Sequence, residues 1–171
     1  MRAIHAVLIL LSLVLTAPSR GQNSPESRAT LAGLQGVVVY VDTLSSELPL
    51  KGITRDVLRL KVESGLREAG IPVFHSPLKA PLPGDPVLYL GVTTIFDEIE
   101  RGCVCGIRLE LTQTVRLHRN PGYVVFGVPT WGVGGVARYT KAWRDEMIED
   151  VAAFTSEFID AYYRANPVVG E

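Results

Sequence analysis

The chain has 171 residues, with 17 Lys and Arg against 18 Asp and Glu, 3 His and 2 Cys. That length suits one domain able to bury its own core. A near-balanced charge with no basic stripe argues against nucleic acid or an anionic membrane surface as a partner.

Residues 1–21 read as a cleaved signal peptide. Arg2 supplies the positive start, Ala6-Val-Leu-Ile-Leu-Leu-Ser-Leu-Val-Leu15 is the apolar centre, and Pro18 breaks it. Ser19 and Gly21 place small residues at the −3 and −1 positions of a cut before Gln22. The apolar run is too short to span a bilayer, and no cysteine lies near the cut to take a lipid. Without Arg2 and Arg20, 15 basic residues face 18 acidic ones, a net charge of −3. No second long apolar run follows, so the expectation is a soluble periplasmic or secreted protein with no membrane span after cleavage.

Residues 22–33 are polar around Pro25 and read as a flexible lead-in; residues 34–171 read as a single α/β domain. Leu34-Gln-Gly-Val-Val-Val-Tyr-Val41 is an apolar, β-branched run, which suits a central strand buried on both faces. Thr43 to Gly52 shows no period and reads as a loop. A helix follows over Thr54 to Ala69, capped by Thr54, with Asp56 in its first turn. Leu58, Val62, Leu66 and Ala69 share one face. Gly70 offers a left-handed stop, Ile71 can pack back on Leu66, and Pro72 blocks continuation. Ile71 to His75 then reads as a short strand, parallel to the first.

The stretch Ser76 to Pro86 holds four prolines and reads as a stiff connection. Val87 to Glu98 is the next strand. It turns through Asp97, Glu98, Glu100 and Arg101 into Cys103–His118, whose odd positions are mostly apolar and even positions mostly polar. Such alternation marks a strand with one wet face. Asn120-Pro-Gly122 reads as a turn and Tyr123 to Val128 as a returning strand. Pro129 puts that strand at an edge or gives it a bulge, and Trp131-Gly-Val-Gly-Gly135 reads as a bend. A last helix, capped by Thr140, runs to about Ala165 with Met147, Ile148, Val151, Phe154, Phe158 and Tyr162 as its apolar stripe. The fold class is α+β, a two-layer α/β sandwich. Its order is β-α-β-β-β-α, or the same with one further strand. A mixed, mainly antiparallel sheet carries two helices on one face.

Cys103 and Cys105 are the only cysteines. In an extended strand their β-carbons stand roughly 6–7 Å apart, more than the 3.5–4.5 Å a disulfide prefers. Three readings stay open: a disulfide within or between chains, inert thiols on the apolar face, or a redox or metal role. A metal site needs more than two ligands, and His75 and His118 lie elsewhere in the chain, so no metal or cofactor is expected. Gly132-Val-Gly-Gly-Val-Ala137 formally fits G-x-G-x-x-A. It lacks the preceding parallel strand and the following acid that a dinucleotide site needs. Thr130, Trp131 and Gly134 form a candidate contact point, the alternative being that Trp131 caps the core. Arg108, Glu110 and Arg116 on the wet face of the central strand are the other candidates for partner contact. The charged turn has no evident pocket. No G-x-S-x-G, H-E-x-x-H or P-loop pattern occurs, so the reading leans away from an enzyme.

Several segments resemble an uncharacterised group of small exported bacterial proteins. They are Leu34-Gln-Gly-Val-Val-Val-Tyr-Val, Gly70-Ile-Pro-Val, Leu109-Glu-Leu, Thr130-Trp131 with its glycines, and Phe158-Ile-Asp-Ala-Tyr with Ala165-Asn-Pro. The layout is also similar to that of the TolB N-terminal domain and of CsgG-like secretion lipoproteins. That resemblance implies a binding or scaffold role, with a protein partner at the cell envelope. The chain departs from the lipoproteins by lacking their lipid-attachment cysteine.

Overall fold

The structure is a computed structural model, and it describes residues 22–75, 82–97, 102–139 and 143–167. The signal-peptide reading, the cap at Thr140, most of the charged turn and part of the proline-rich connection lie outside the described residues. The elements are α1 (Pro25–Ala29), β1 (Val37–Val41), α2 (Glu47–Leu50), α3 (Arg55–Glu68), β2 (Val73–Phe74), β3 (Val87–Asp97), β4 (Gly102–Leu117), β5 (Asn120–Tyr139) and α4 (Trp143–Ala165). The architecture is α+β, with the longer of the two expected strand orders. One mixed sheet runs β2-β1-β3-β4-β5. β1 is parallel to β2 and β3, and the β3–β4 and β4–β5 pairs are antiparallel.

Helix α3 follows its sequence signals closely. Thr54 Oγ1 accepts from the Val57 amide at 3.2 Å. The helix ends with the Gly70 amide donating to Arg67 O and the Ile71 amide to Leu66 O, both at 2.9 Å, with Gly70 at φ +77°. That is a Schellman stop, in which only a residue tolerant of positive φ fits after the cap. Leu58, Val62 and Leu66 of α3 and Met147, Val151, Phe158 and Ala161 of α4 are buried in the same core as the inward residues of the sheet. α3 and α4 pack side by side and both meet the sheet on that one face. Among the described residues no helix is long and apolar enough to cross a membrane.

Four expectations are corrected. The lead-in is not loose. Ser24 caps α1, with Pro25 at its first position, an arrangement that suits proline's missing amide. Leu31 just after it is fully buried. The Gln22 carbonyl accepts from the Gly132 amide at 3.2 Å, so this segment covers part of the β5 edge, which would otherwise expose ladder groups. The Thr43–Gly52 stretch contains the short helix α2, anchored by buried Leu48. β1 is buried on both faces only in part: Val37, Val39 and Val41 point to the core and Val38 is buried on the other face, while Tyr40 is exposed. The β4–β5 turn is His118–Arg119, and Trp131–Tyr139 continues the ladder unbroken against Leu111–Cys103; the irregularities come earlier, from Thr112 to Leu117. Pro129 does sit in an edge strand. Past Thr112, where β3 ends its pairing, β4 and β5 run on as a two-stranded arm with Tyr123 and Phe126 exposed.

Asn166, just past α4, ties the N-terminal segment to the body. Its Nδ2 donates to Leu31 O at 2.9 Å, and its Oδ1 accepts from the Gly33 amide at 2.8 Å. Asn166→Ala should cost about 1–3 kcal/mol in urea unfolding and speed hydrogen exchange at the Gly33 amide. Unchanged stability with unchanged exchange would show that the tie is not made.

Candidate functional site

Both long helices cover one face of the sheet, and among the described residues no helix lies on the opposite face. Its side chains form lines across the strands. Tyr40 of β1, Tyr89 of β3, Glu110 of β4 and Gly132 of β5 are successive register partners, and Gly91, Arg108 and Gly134 form the next line. Beyond them come Thr93, Gly106 and Val136, then Ile95, Val104 and Arg138.

The Tyr40 and Tyr89 rings stack at 5.6 Å between centroids, tilted by 21°. Arg55 lies over Tyr40 and Arg108 over Tyr89, each guanidinium carbon 5.6 Å from the ring centre, within cation–π range. Arg55 Nε also donates to Val41 O at 3.1 Å. The glycines on either side leave room for Arg108 and its backbone. A β-carbon on Gly91 would come within 2.8 Å of Arg108 Nε, and one on Gly134 within 3.2 Å of Arg108 Cα and 2.7 Å of Ile107 O. Gly132 leaves similar room beside Glu110, where a β-carbon would meet Cγ at 3.1 Å. Glu110 Oε2 stands 3.7 Å from Arg108 Nε, a solvent-facing pair that orients both groups more than it stabilises the fold.

Asp42 closes the end of this line. The Tyr89 hydroxyl, then the Thr43 amide at 2.7 Å, hold its carboxyl below the ordinary 3.8, with Arg108 and Arg55 adding to the effect. The same hydrogen bond raises the Tyr89 hydroxyl. Between Asp42 and Arg108 lies a shallow depression of about 190 Å³, floored by Gly91 and Gly106 and flanked by Thr93. Next to it Ile95, Val104 and Val136 form an exposed apolar patch. The whole is a flat surface of ordered charge and aromatic rings beside apolar side chains, suited to contact with another molecule.

The structure brings together Arg108, Glu110 and Gly134 of the sequence-derived candidates, and leaves the others elsewhere. Arg116 is on the arm, with Nη1 donating to Pro121 O at 3.3 Å. Thr130 is at the edge, where its Oγ1 accepts from Gln113 Nε2 at 2.8 Å. Trp131 is not an exposed anchor. It is fully buried, edge-on to Phe158 at 5.2 Å, and its Nε1 donates to Asn23 Oδ1 at 3.1 Å. An indole that fills the core and still finds an acceptor satisfies both its needs. The Gly132–Ala137 motif lies inside β5, so it cradles no phosphate at a helix start.

Cys103 and Cys105 are buried on the core face of β4, and contrary to expectation their sulfurs are only 2.9 Å apart. The strand is extended and paired on both sides. Strand side chains lean along the strand direction, so sulfurs two positions apart can stand closer than the β-carbons that carry them. Near them the Tyr139 hydroxyl donates to Asp150, and burial followed by that carboxylate raises the hydroxyl well above its usual value.

Tyr40, Tyr89, Asp42, Arg55 and Gly91 were missed in the sequence. A signal for some of them was present: Tyr89, Gly91 and Thr93 alternate with Leu88, Leu90 and Val92. The β1–β3 pairing that stacks Tyr40 on Tyr89 is not local, so periodicity could not show it.

No family model matches the chain, and no curated protein matches it. Among solved structures it is similar to PelC from Paraburkholderia phytofirmans, described as a dodecamer. A single-substitution variant is 17% identical with a TM-score of 0.45, covering 74% of this chain and 87% of that one. A second PelC structure is 16% identical with a TM-score of 0.44, covering 74% and 88%. At this identity and TM-score the function of the present chain has to be read from its own residues.

Carbon-detected NMR should place the Asp42 titration below that of an ordinary aspartate, and Tyr89→Phe should move it upward. The sign follows from the direction: the folded pKa is lowered, so the contribution is present above the unfolded value and fades as pH falls through the folded one. An Asp42 titration unmoved by Tyr89→Phe would break the proposed link between them.

Proposed function

We propose that the protein is an exported binding or scaffold module that works at the cell envelope by meeting a protein partner through the open face of its sheet. One observation carries the reading: among the described residues no helix covers the face away from α3 and α4, and that face exposes Ile95 and Val136 at 70% and 78% beside an Arg108 that lies over the Tyr89 ring. Apolar side chains gathered on a surface and rimmed by polar groups mark sites of contact. Tyr and Arg are the residues that dominate such contacts, because they offer large area and directed hydrogen bonds together. Ordering Arg108 before a partner arrives lowers the entropy lost on binding. The signal-peptide reading of residues 1–21 supports export. The resemblance of the sequence layout to TolB-type and CsgG-like modules supports an envelope setting by analogy of fold.

A photo-crosslinking side chain in place of Val136 should capture a discrete partner in envelope extracts. The same group in place of Leu60, exposed on α3 at the opposite side, should not. Arg108→Glu should weaken that capture by about tenfold or more, the equivalent of roughly 1.4 kcal/mol, without moving the thermal midpoint. Equal capture from positions 136 and 60, or capture indifferent to Arg108→Glu, would sink the reading.

A further inference from the structure

We propose that Cys103 and Cys105 are a two-electron redox couple, alternating between a buried dithiol and a disulfide that bridges Val104 within β4. Their sulfurs stand 2.9 Å apart, closer than the roughly 3.5–4.0 Å at which even carbon atoms rest against each other. Both side chains are buried, and they are the only cysteines in the chain. Neither can therefore reach a second chain without the sheet opening, and each has one possible partner within its own. Cys103 is flanked by Phe96 and Tyr139, and Cys105 by Thr94 and Ala137, on the neighbouring strands. Among the described residues no group of three His, Cys, Asp or Glu is placed to hold a metal ion.

The surroundings favour neutral sulfur. Burial, then the adjoining Cys103, push the Cys105 thiol up and away from ionisation. In its charge a disulfide suits this place, while its geometry requires the strand to buckle at Val104 until the β-carbons come within reach. It removes two S–H groups that pair with each other, and it leaves no charge to desolvate.

The oxidant is a low-molecular-weight disulfide. In the first exchange a cysteine thiolate attacks one oxidant sulfur, forming a mixed disulfide and releasing one thiol. In the second, the other cysteine attacks the protein sulfur of that mixed disulfide and expels the second thiol. Two protein thiols thus give up two protons and two electrons, and the oxidant leaves as two thiols. Because both sulfurs are covered, the first attack waits on local opening of this end of the sheet.

Val104, between the two cysteines, points to the opposite face and is the register partner of Ile95. Closing the ring therefore changes the backbone beneath the exposed apolar patch. That consequence rests on the open-face reading of function; the couple itself does not.

The purified protein is equilibrated in glutathione and glutathione disulfide at graded ratios, quenched in acid, unfolded, treated with N-ethylmaleimide and weighed intact. The expected result is two interconverting populations, one carrying two alkyl groups and one carrying none and lacking two hydrogen atoms. Peptide mapping should place the bond between Cys103 and Cys105. A chain that takes two alkyl groups at every ratio overturns the couple, as does one that stops as a glutathione adduct or a disulfide-linked dimer. Cys103→Ser should stop at the mixed disulfide in the oxidising buffers, since no second thiol remains to resolve it. If that variant does not fold, the unsubstituted protein still decides the matter. Ile95 and Val136 play no part in this measurement, so its failure and that of the partner test are separate outcomes.

Discussion

From Cys103 to Leu111 every odd residue of β4 points into the core and every even residue points out, while β3 and β5 pair with it on either side. Leu109 and Leu111 are fully buried, and Arg108 lies largely in solvent. A slip of one residue in either pairing would exchange these faces and put charge into the core, so this register is held firmly. The side on which the helices lie follows from it. The apolar stripes of α3 and α4 can be covered only by the apolar face of the sheet, and among the described residues no helix remains for the other face.

A strand is one residue thick, so the two faces of this sheet are tied together chemically. Arg108 is adjacent in sequence to two core residues, and Val104 separates two buried cysteines. Gly91 of β3 and Gly132 and Gly134 of β5 serve the wet face. At Gly91 the absent β-carbon leaves room for the Arg108 side chain, and at Gly134 for the backbone of Ile107 and Arg108, at the expense of strand propensity, because glycine has more backbone freedom to lose and no side chain to pack. Runs of small residues in a strand need not form a loop that wraps a ligand. Here they shape the surface on which a neighbouring long side chain rests.

Edge protection explains the order of the N-terminal segment. β5 is a long edge strand, and its backbone beyond Thr130 would be open to pairing with another chain. Residues 22–31 lie along part of it, joined by the Gly132 amide and by Trp131 Nε1, and Asn166 grips the same segment from the far side. Each tie crosses more than a hundred positions of sequence. Polar composition alone therefore read as looseness, although the cap at Ser24 and the proline after it were visible locally.

Local physics accounts for what the sequence by itself determined. The period-two pattern of β3 and β4, the cap and stop of α3, the apolar stripe of α4 and the edge position required by Pro129 each depend on neighbours within a few residues, and each is in the structure. So is the α+β class, because one-sided helices and a one-sided sheet admit few arrangements. Tertiary structure alone decided the rest. Which strand lies beside β1 set the Tyr40–Tyr89 stack and the place of Asp42. The depth of the core under β5 turned Trp131 from a candidate anchor into packing. The rotation of two side chains within one strand brought Cys103 and Cys105 together. Periodicity records which face a residue takes, but not which residue will stand across from it, and the site is made of those cross-strand meetings.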